Sequence, residues 1–194
     1  MVIRTDVIYF NTLNDHKFSE IIELFQSKKS NYHLIQTRYK TIEIQAESIE
    51  EVAIYKLQSI KDNVDNSIFV EDAGFFIDEP LKGFPGVFSS YVMRTIGNEG
   101  ILKLLTDVKQ TKAHFTTVIA LYFKPLEETF TFEGSVYGRI SPEMRGNNGF
   151  GFDPIFIPEI RPDRTFAELP TNEKNKISHR ARAWKKMIDF LKVS

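Results

Sequence analysis

Two long runs rich in β-branched and aromatic residues, 113–123 (AHFTTVIALYF) and 129–140 (TFTFEGSVYGRI), meet at Lys124-Pro125. Such runs separated by a short proline turn read as one large β-hairpin, so the fold must hold a substantial sheet. The first half adds strand-like and helix-like segments in alternation. Residues 7–10 form a short β-prone run and 11–15 a polar turn, after which Phe18, Ile21, Ile22 and Phe25 recur at helical spacing. Residues 39–45 alternate as a strand would, with Ile42 and Ile44 on one face. Ser48-x-x-Glu51 is a capping box that opens a helix to about Lys61. Residues 67–72 and 74–78 read as paired or sequential strands, 79–86 as a Pro/Gly loop, and a helical stretch follows that Gly97 punctuates. After the loop 141–153, a final helix carries Ile177, Ala181, Trp184, Ile188 and Leu191. No repeat or linker interrupts the 194 residues. The expected class is α/β, one domain over 1–194, with a mixed sheet rather than a strict βαβ ladder.

Several chemistries are excluded by composition and motif. Lys+Arg is 25 against Asp+Glu 26, which argues against a domain that grips nucleic acid by bulk charge. The absence of cysteine removes disulfides, thiolate metal sites and thiol nucleophiles. Arg4 and Asp6 interrupt the apolar start, so it is no signal-peptide core, and no apolar run approaches the roughly 18 residues of a membrane helix. A soluble, cytoplasmic protein is expected. GxxxxGK[ST] is absent, Gly149-x-Gly151 lacks the third glycine of a dinucleotide fingerprint, and His16, His33, His114 and His179 are scattered.

Five features bear on chemistry. Lys56 falls in the middle of the apolar stripe of Ile49, Val52, Ala53 and Ile60, so its ammonium either snorkels to water or is aimed at anions in a cleft. Glu43, on the polar side of its strand, and Glu71 and Asp72, at the end of an apolar strand, either reach solvent or together serve Mg²⁺. In the 11–17 turn, Thr12, Asn14 and Lys17 at a helix start suit phosphate oxygens; alternatively, Asn14 or Asp15 is only the N-cap. The last helix is basic, with Lys174, Lys176, Arg180, Arg182, Lys185 and Lys186, which is either a solvated face or a binding surface. Upstream of it, Phe150, Gly151, Phe152 and Asp153 offer an aromatic, a flexible glycine and a carboxylate that suit a planar base. Jointly these fit a Mg²⁺-bound nucleoside triphosphate.

Four ordered motifs carry a resemblance. Thr12-x-Asn14-x-x-Lys17 after a first strand resembles the opening signature of the inosine triphosphate pyrophosphatase family. Val70-Glu71-Asp72-Ala73-Gly74 with Gly83-Phe84-Pro85-Gly86 resembles its central motif. Gly149-Phe150-Gly151-Phe152-Asp153-Pro154 with Phe166-Ala167-Glu168-Leu169 resembles its third, and Lys174-x-x-x-Ser178-His179-Arg180 its fourth. The resemblance implies two lobes around a long curved mixed sheet flanked by helices, with the active cleft between lobes. It implies Mg²⁺-dependent hydrolysis of ITP, dITP and XTP to monophosphate and pyrophosphate, usually by a homodimer. Carried over by position, Thr12, Asn14 and Lys17 hold phosphates, with Ala73 contributing through its backbone. Glu43 and Asp72 serve the metal, and Asp72 also activates water. Lys56 matches a cleft lysine of the family, and Phe150, Gly151, Phe152, Asp153, Lys174, His179 and Arg180 surround the nucleoside.

Overall fold

The computed structural model of the chain describes residues 6–27 and 32–193; Arg4, part of the reading of the N-terminus, lies outside them. Among the described residues the strands are β1 (Asp6–Asn11), β2 (Tyr32–Thr37), β3 (Ser67–Glu79), β4 (Phe84–Gly86), β5 (Lys112–Phe123), β6 (Glu128–Ile140) and β7 (Phe156–Pro158). The α-helices are α1 (Asp15–Ser27), α2 (Ile49–Gln58), α3 (Ser89–Thr95), α4 (Gly97–Leu104), α5 (Thr171–Ile177) and α6 (His179–Val193). The strands form one sheet in the order β2-β1-β3-β5-β6-β7, with β4 paired to β3. It is mixed: β1 runs parallel to β2 and β3, whereas β4 is antiparallel to β3 and β7 to β6. The expected α/β class with a mixed sheet is what the chain forms.

The chain divides into two compact units. Unit 1 comprises Met1–Asp72, Thr117–Gly134 and Arg182–Ser194; unit 2 comprises Ala73–Thr116 and Ser135–Ala181. Each has its own core. In unit 1, Ile8, Phe10, Phe69, Ile119 and Leu121 of the strands pack with Ile21 and Phe25 of α1 and with Trp184, Met187 and Ile188 of α6. Phe10, Phe25 and Phe69 meet Trp184 edge-on, with centroids 5.9, 6.4 and 5.0 Å away. Strand β3 lies between β1 and β5, and Ile68 to Glu71 are all buried, which explains its unbroken apolar run. In unit 2, Phe75, Phe115, Phe152, Phe156 and Phe166 build the core with Ile77 and Val136. Most of the chain's unusual phenylalanine content goes into these two clusters.

Four segments differ from the sequence reading. Residues 39–45 form no strand; the strand is Tyr32–Thr37, which occupies the free edge of β1. Instead the following segment is tied down by side chains: Asn11 exchanges hydrogen bonds with the Tyr39 backbone (2.7 and 3.1 Å), and Ile42 N–H donates to Ser59 Oγ (3.2 Å). Residues 67–79 are one strand, not two. The helix from Ser48 ends at Gln58, with Ser48 Oγ accepting from Glu51 N–H as its cap. The last helix is two helices, because Ser178 adopts an extended backbone (ψ 158°) and its Oγ accepts from Ala181 N–H, capping α6 anew. No helix among the described residues is long and apolar enough to cross a membrane.

Candidate active site

In unit 1 the sharp passage from β1 to α1 is pinned at both ends. Thr12 N–H donates to Thr37 O (3.0 Å), and Thr12 Oγ1 accepts from Asn14 N–H (3.1 Å). Asn14 Oδ1 accepts from Lys17 N–H (3.1 Å), so Asn14 is the N-cap of α1. The side-chain oxygens of Thr12 and Asn14 thus shape the turn itself, and Leu13 at its tip is exposed. Asp15 opens the first turn, where hydrogen bonds from Gln36 and Arg38 hold its carboxyl below the usual aspartate range.

Two lysines then reach β3. Lys17 Nζ lies 3.4 Å from Glu71 Oε1 and donates to the Glu71 backbone carbonyl at 3.3 Å. The Glu71 side chain is fully buried. Lys56 Nζ, from α2, lies 2.9 Å from Glu43 Oε1 and 3.6 Å from Asp72 Oδ2. The two lysines thus meet consecutive residues of β3, Lys17 at Glu71 and Lys56 at Asp72. The Lys56 ammonium does not extend to open water but sits against two carboxylates, with its side chain 14% exposed. Burial works against its charge, but Asp72 and Glu43 outweigh burial and raise its pKa above the ordinary lysine value. Because the folded pKa lies above the unfolded one, this pairing stabilises the fold fully below the free-lysine pKa. That contribution is lost only as pH climbs through the folded value. Lys56→Met should cut kcat about 100-fold, the scale of losing one preorganised charge, and lower stability by about 1 kcal/mol as two carboxylates are left facing. Unchanged turnover in a steady-state assay would return the lysine to a packing role.

Among the described residues no group of three or more Asp, Glu or His gathers as a ready-made metal cage. Glu43 and Asp72 nevertheless fit a hard divalent cation. They present carboxylate oxygens to a single positive centre, Lys56 Nζ, and Mg²⁺ needs only one or two carboxylates when phosphate oxygens complete its shell.

Unit 2 supplies a different assembly. Asp153, buried, accepts the Phe150 N–H (2.8 Å) and the Lys174 ammonium (2.7 Å) on the same Oδ2. The approach is possible because residue 149 is glycine, with φ +73°; a Cβ there would stand 2.0 Å from Asp153 Oδ2. Lys174 Nζ and Arg180 Cζ lie 4.9 and 5.5 Å from the centroid of the Phe150 ring, within cation–π range. Both cations are almost wholly buried, unlike the exposed Lys176, Arg182, Lys185 and Lys186. The break at Ser178 places Lys174 at the end of one helix and Arg180 at the start of the next. His179 stacks on Phe115 at 4.8 Å.

Phe150, Asp153, Lys174 and Arg180, expected around a nucleoside, are therefore brought together. Phe152 is not an open base platform: it is buried in the core, stacked on Phe75 at 4.8 Å. Gly151 lies in the loop at φ +64°, and Ala73 follows Asp72 within β3. Sequence reasoning missed the buttress behind the loop. Arg145 pairs with Glu168 at 3.3 Å, Thr165 and Glu168 cap each other reciprocally, and Gly146 lies against the Ala167 carbonyl, 2.3 Å from where a Cβ would be. The Thr165-x-x-Glu168 spacing was the available signal.

Comparison with known proteins concerns the chain as a whole. The dITP/XTP pyrophosphatase of Thermococcus kodakarensis is 48% identical over 183 residues, covering 94% of this chain and 96% of that protein. Its counterpart in Pyrococcus horikoshii is 44% identical over 187 residues, covering 96% and 97%. A solved HAM1 protein from Coxiella burnetii superposes with a TM-score of 0.82 at 30% identity, covering 97% of this chain and all of that one. The model of the Ham1 family matches residues 8–190, a span that contains all four motifs and both assemblies, and the chain belongs to that family.

Proposed function

We infer that this chain hydrolyses non-canonical purine nucleoside triphosphates, ITP, dITP and XTP, to the nucleoside monophosphate and pyrophosphate. The observation that carries this reading is the Asp72–Lys56–Glu43 cluster, in a chain whose relatives named above are dITP/XTP pyrophosphatases. Unit 1 takes the triphosphate and Mg²⁺; unit 2 takes the base. Glu43 and Asp72 would hold the ion, which when bound would supply positive charge against the phosphates. Asp72 orients the attacking water and accepts its proton. Lys56, already charged and largely desolvated, offsets the charge that builds on the departing pyrophosphate. Lys17 and the start of α1 bind phosphate oxygens, with Thr12 and Asn14 fixing the turn that presents them.

Selectivity comes from unit 2. Phe150 lies alongside the base, and Arg180, His179 and Lys174 form a donor-rich surround for a 6-oxo group. Adenine presents a 6-amino donor instead, so donor faces donor. Two mismatched buried contacts at roughly 1–3 kcal/mol each favour ITP and XTP over ATP in kcat/KM by about 100-fold or more. Pyrophosphate release from ITP, XTP, dITP, GTP and ATP with Mg²⁺ measures this directly, and equal rates with ITP and ATP would overturn it. The enzyme acts in the cytoplasm as a homodimer. The second face of the unit 2 sheet, carrying Phe76 stacked on His114 (4.6 Å) and the exposed Tyr137, supports a partner copy. Light scattering at twice 22.5 kDa is expected, and a monomer mass at micromolar concentration would exclude it.

A further inference from the structure

Asn98, in the first turn of α4, bonds to the loop 149–153: its Nδ2 donates to the Gly151 carbonyl at 3.0 Å. Its Oδ1 is buried and has no hydrogen-bond partner among the described residues. A buried acceptor left unpaired costs stability, and an apolar residue of the same shape would occupy this place at lower cost. The amide is therefore an expensive way to fill space, and its benefit must lie in the donor.

The local backbone is built around that donor. Gly97 sits at φ +60° with open space where a Cβ would be, so it serves conformation alone and separates α3 from α4. At Gly100 a Cβ would stand 2.4 Å from Ile96 Cβ, so this turn closes tightly on itself. On the other side, Asp153 Oδ2 fixes the Phe150 N–H and Lys174. Gly151 lies between these anchors at φ +64°, and a Cβ there would meet nothing within 4 Å. A glycine in open space has no side chain to set its peptide plane. Asn98 sets it, and in a trans peptide the Phe152 N–H then points opposite to the Gly151 carbonyl.

We propose that Asn98 is a positioning residue for base recognition: by holding the Gly151 carbonyl it fixes the peptide plane beside Phe150, and so the geometry in which the purine is met. This rests on the reading of loop 149–153 as the base-holding loop. The test uses the full chain with Asn98→Leu and Asn98→Asp, the second keeping shape while losing the donor. It measures kcat and KM for ITP, and competitive inhibition by inorganic tripolyphosphate, which has the phosphates and no base. Both variants should raise the KM for ITP about 5- to 10-fold, the scale of one lost hydrogen bond. Turnover should stay within about 3-fold and tripolyphosphate inhibition within about 2-fold, since Asn98 acts on neither phosphate nor water. The melting temperature of Asn98→Leu should hold or rise. An unchanged KM in both variants, or a KM that rises together with the tripolyphosphate constant, overturns the proposal. Phe150→Ala separates the two levels. If it raises the KM while the Asn98 variants do not, only the role of Asn98 fails; if it leaves the KM unchanged, the loop reading fails and takes the proposal with it.

Discussion

Asp72→Asn should lose between 10²- and 10⁴-fold in kcat while its neighbour Glu71→Gln keeps most of its turnover and loses stability instead. The two carboxylates differ by one position and so face opposite sides of β3. Asp72 is a fifth exposed and stands against the Lys56–Glu43 pair, so its carboxylate reaches solvent. Asparagine has the same size but accepts no proton and is a poorer ligand for a hard cation, which sets the size of the loss. Binding of nucleotide, measured by calorimetry, should weaken far less than kcat falls. Glu71 has no exposed side-chain surface and faces the Lys17 ammonium. Neutralising it leaves a largely buried cation with its carbonyl partner alone, at a cost of about 2–4 kcal/mol in chemical denaturation. A Glu71 variant that is folded and dead, beside an Asp72 variant that turns over normally, would exchange the two roles.

Lys174→Met should produce the largest loss of stability, about 3–5 kcal/mol, with at least a 10-fold rise in the KM for ITP. Lys174 and Asp153 are both buried and 2.7 Å apart, so removing the ammonium strands a carboxylate in the interior. The Phe150 N–H still bonds to that oxygen, but an amide does not replace the positive charge that Lys174 brings. The two cation–π contacts of Lys174, with Phe150 and with Phe166, go as well. Adding Asp153→Asn removes the stranded charge, so the double variant should be more stable than Lys174→Met alone. Additive losses in urea titrations would mean that the two groups do not act as a pair.

The long hairpin, the capped start of the helix at Ser48 and the apolar run that opens β3 were legible because each announces itself in composition or spacing over several residues, whereas the continuation of β3 past Asp72 to Glu79 was not. The Lys56 position was legible too, since helical geometry alone put its stem among apolar neighbours. What local pattern does not contain is the competition between segments. Residues 39–45 alternate well, yet the free edge of β1 is taken by Tyr32–Thr37, whose own alternation is obscured by His33 and Gln36. The apolar spacing from Ile177 to Leu191 continues through Ser178 as if the helix did, because periodicity counts residues and does not register a single extended ψ. Phe150 and Phe152 are equivalent in a sequence of glycines and aromatics; only tertiary packing sets one against Lys174 and Arg180 and the other in the core. Asn98 gave no signal, since its partner lies 53 residues away.

The chain's single tryptophan, Trp184, lies fully buried in the core of unit 1, ringed by phenylalanine edges. Excitation of the indole therefore reports on one core and is silent about the other, whereas circular dichroism sums over both. A blue-shifted emission from so dry a site gives a built-in optical gauge, and any lag between its melting curve and the dichroic one measures how far the two cores unfold as separate bodies.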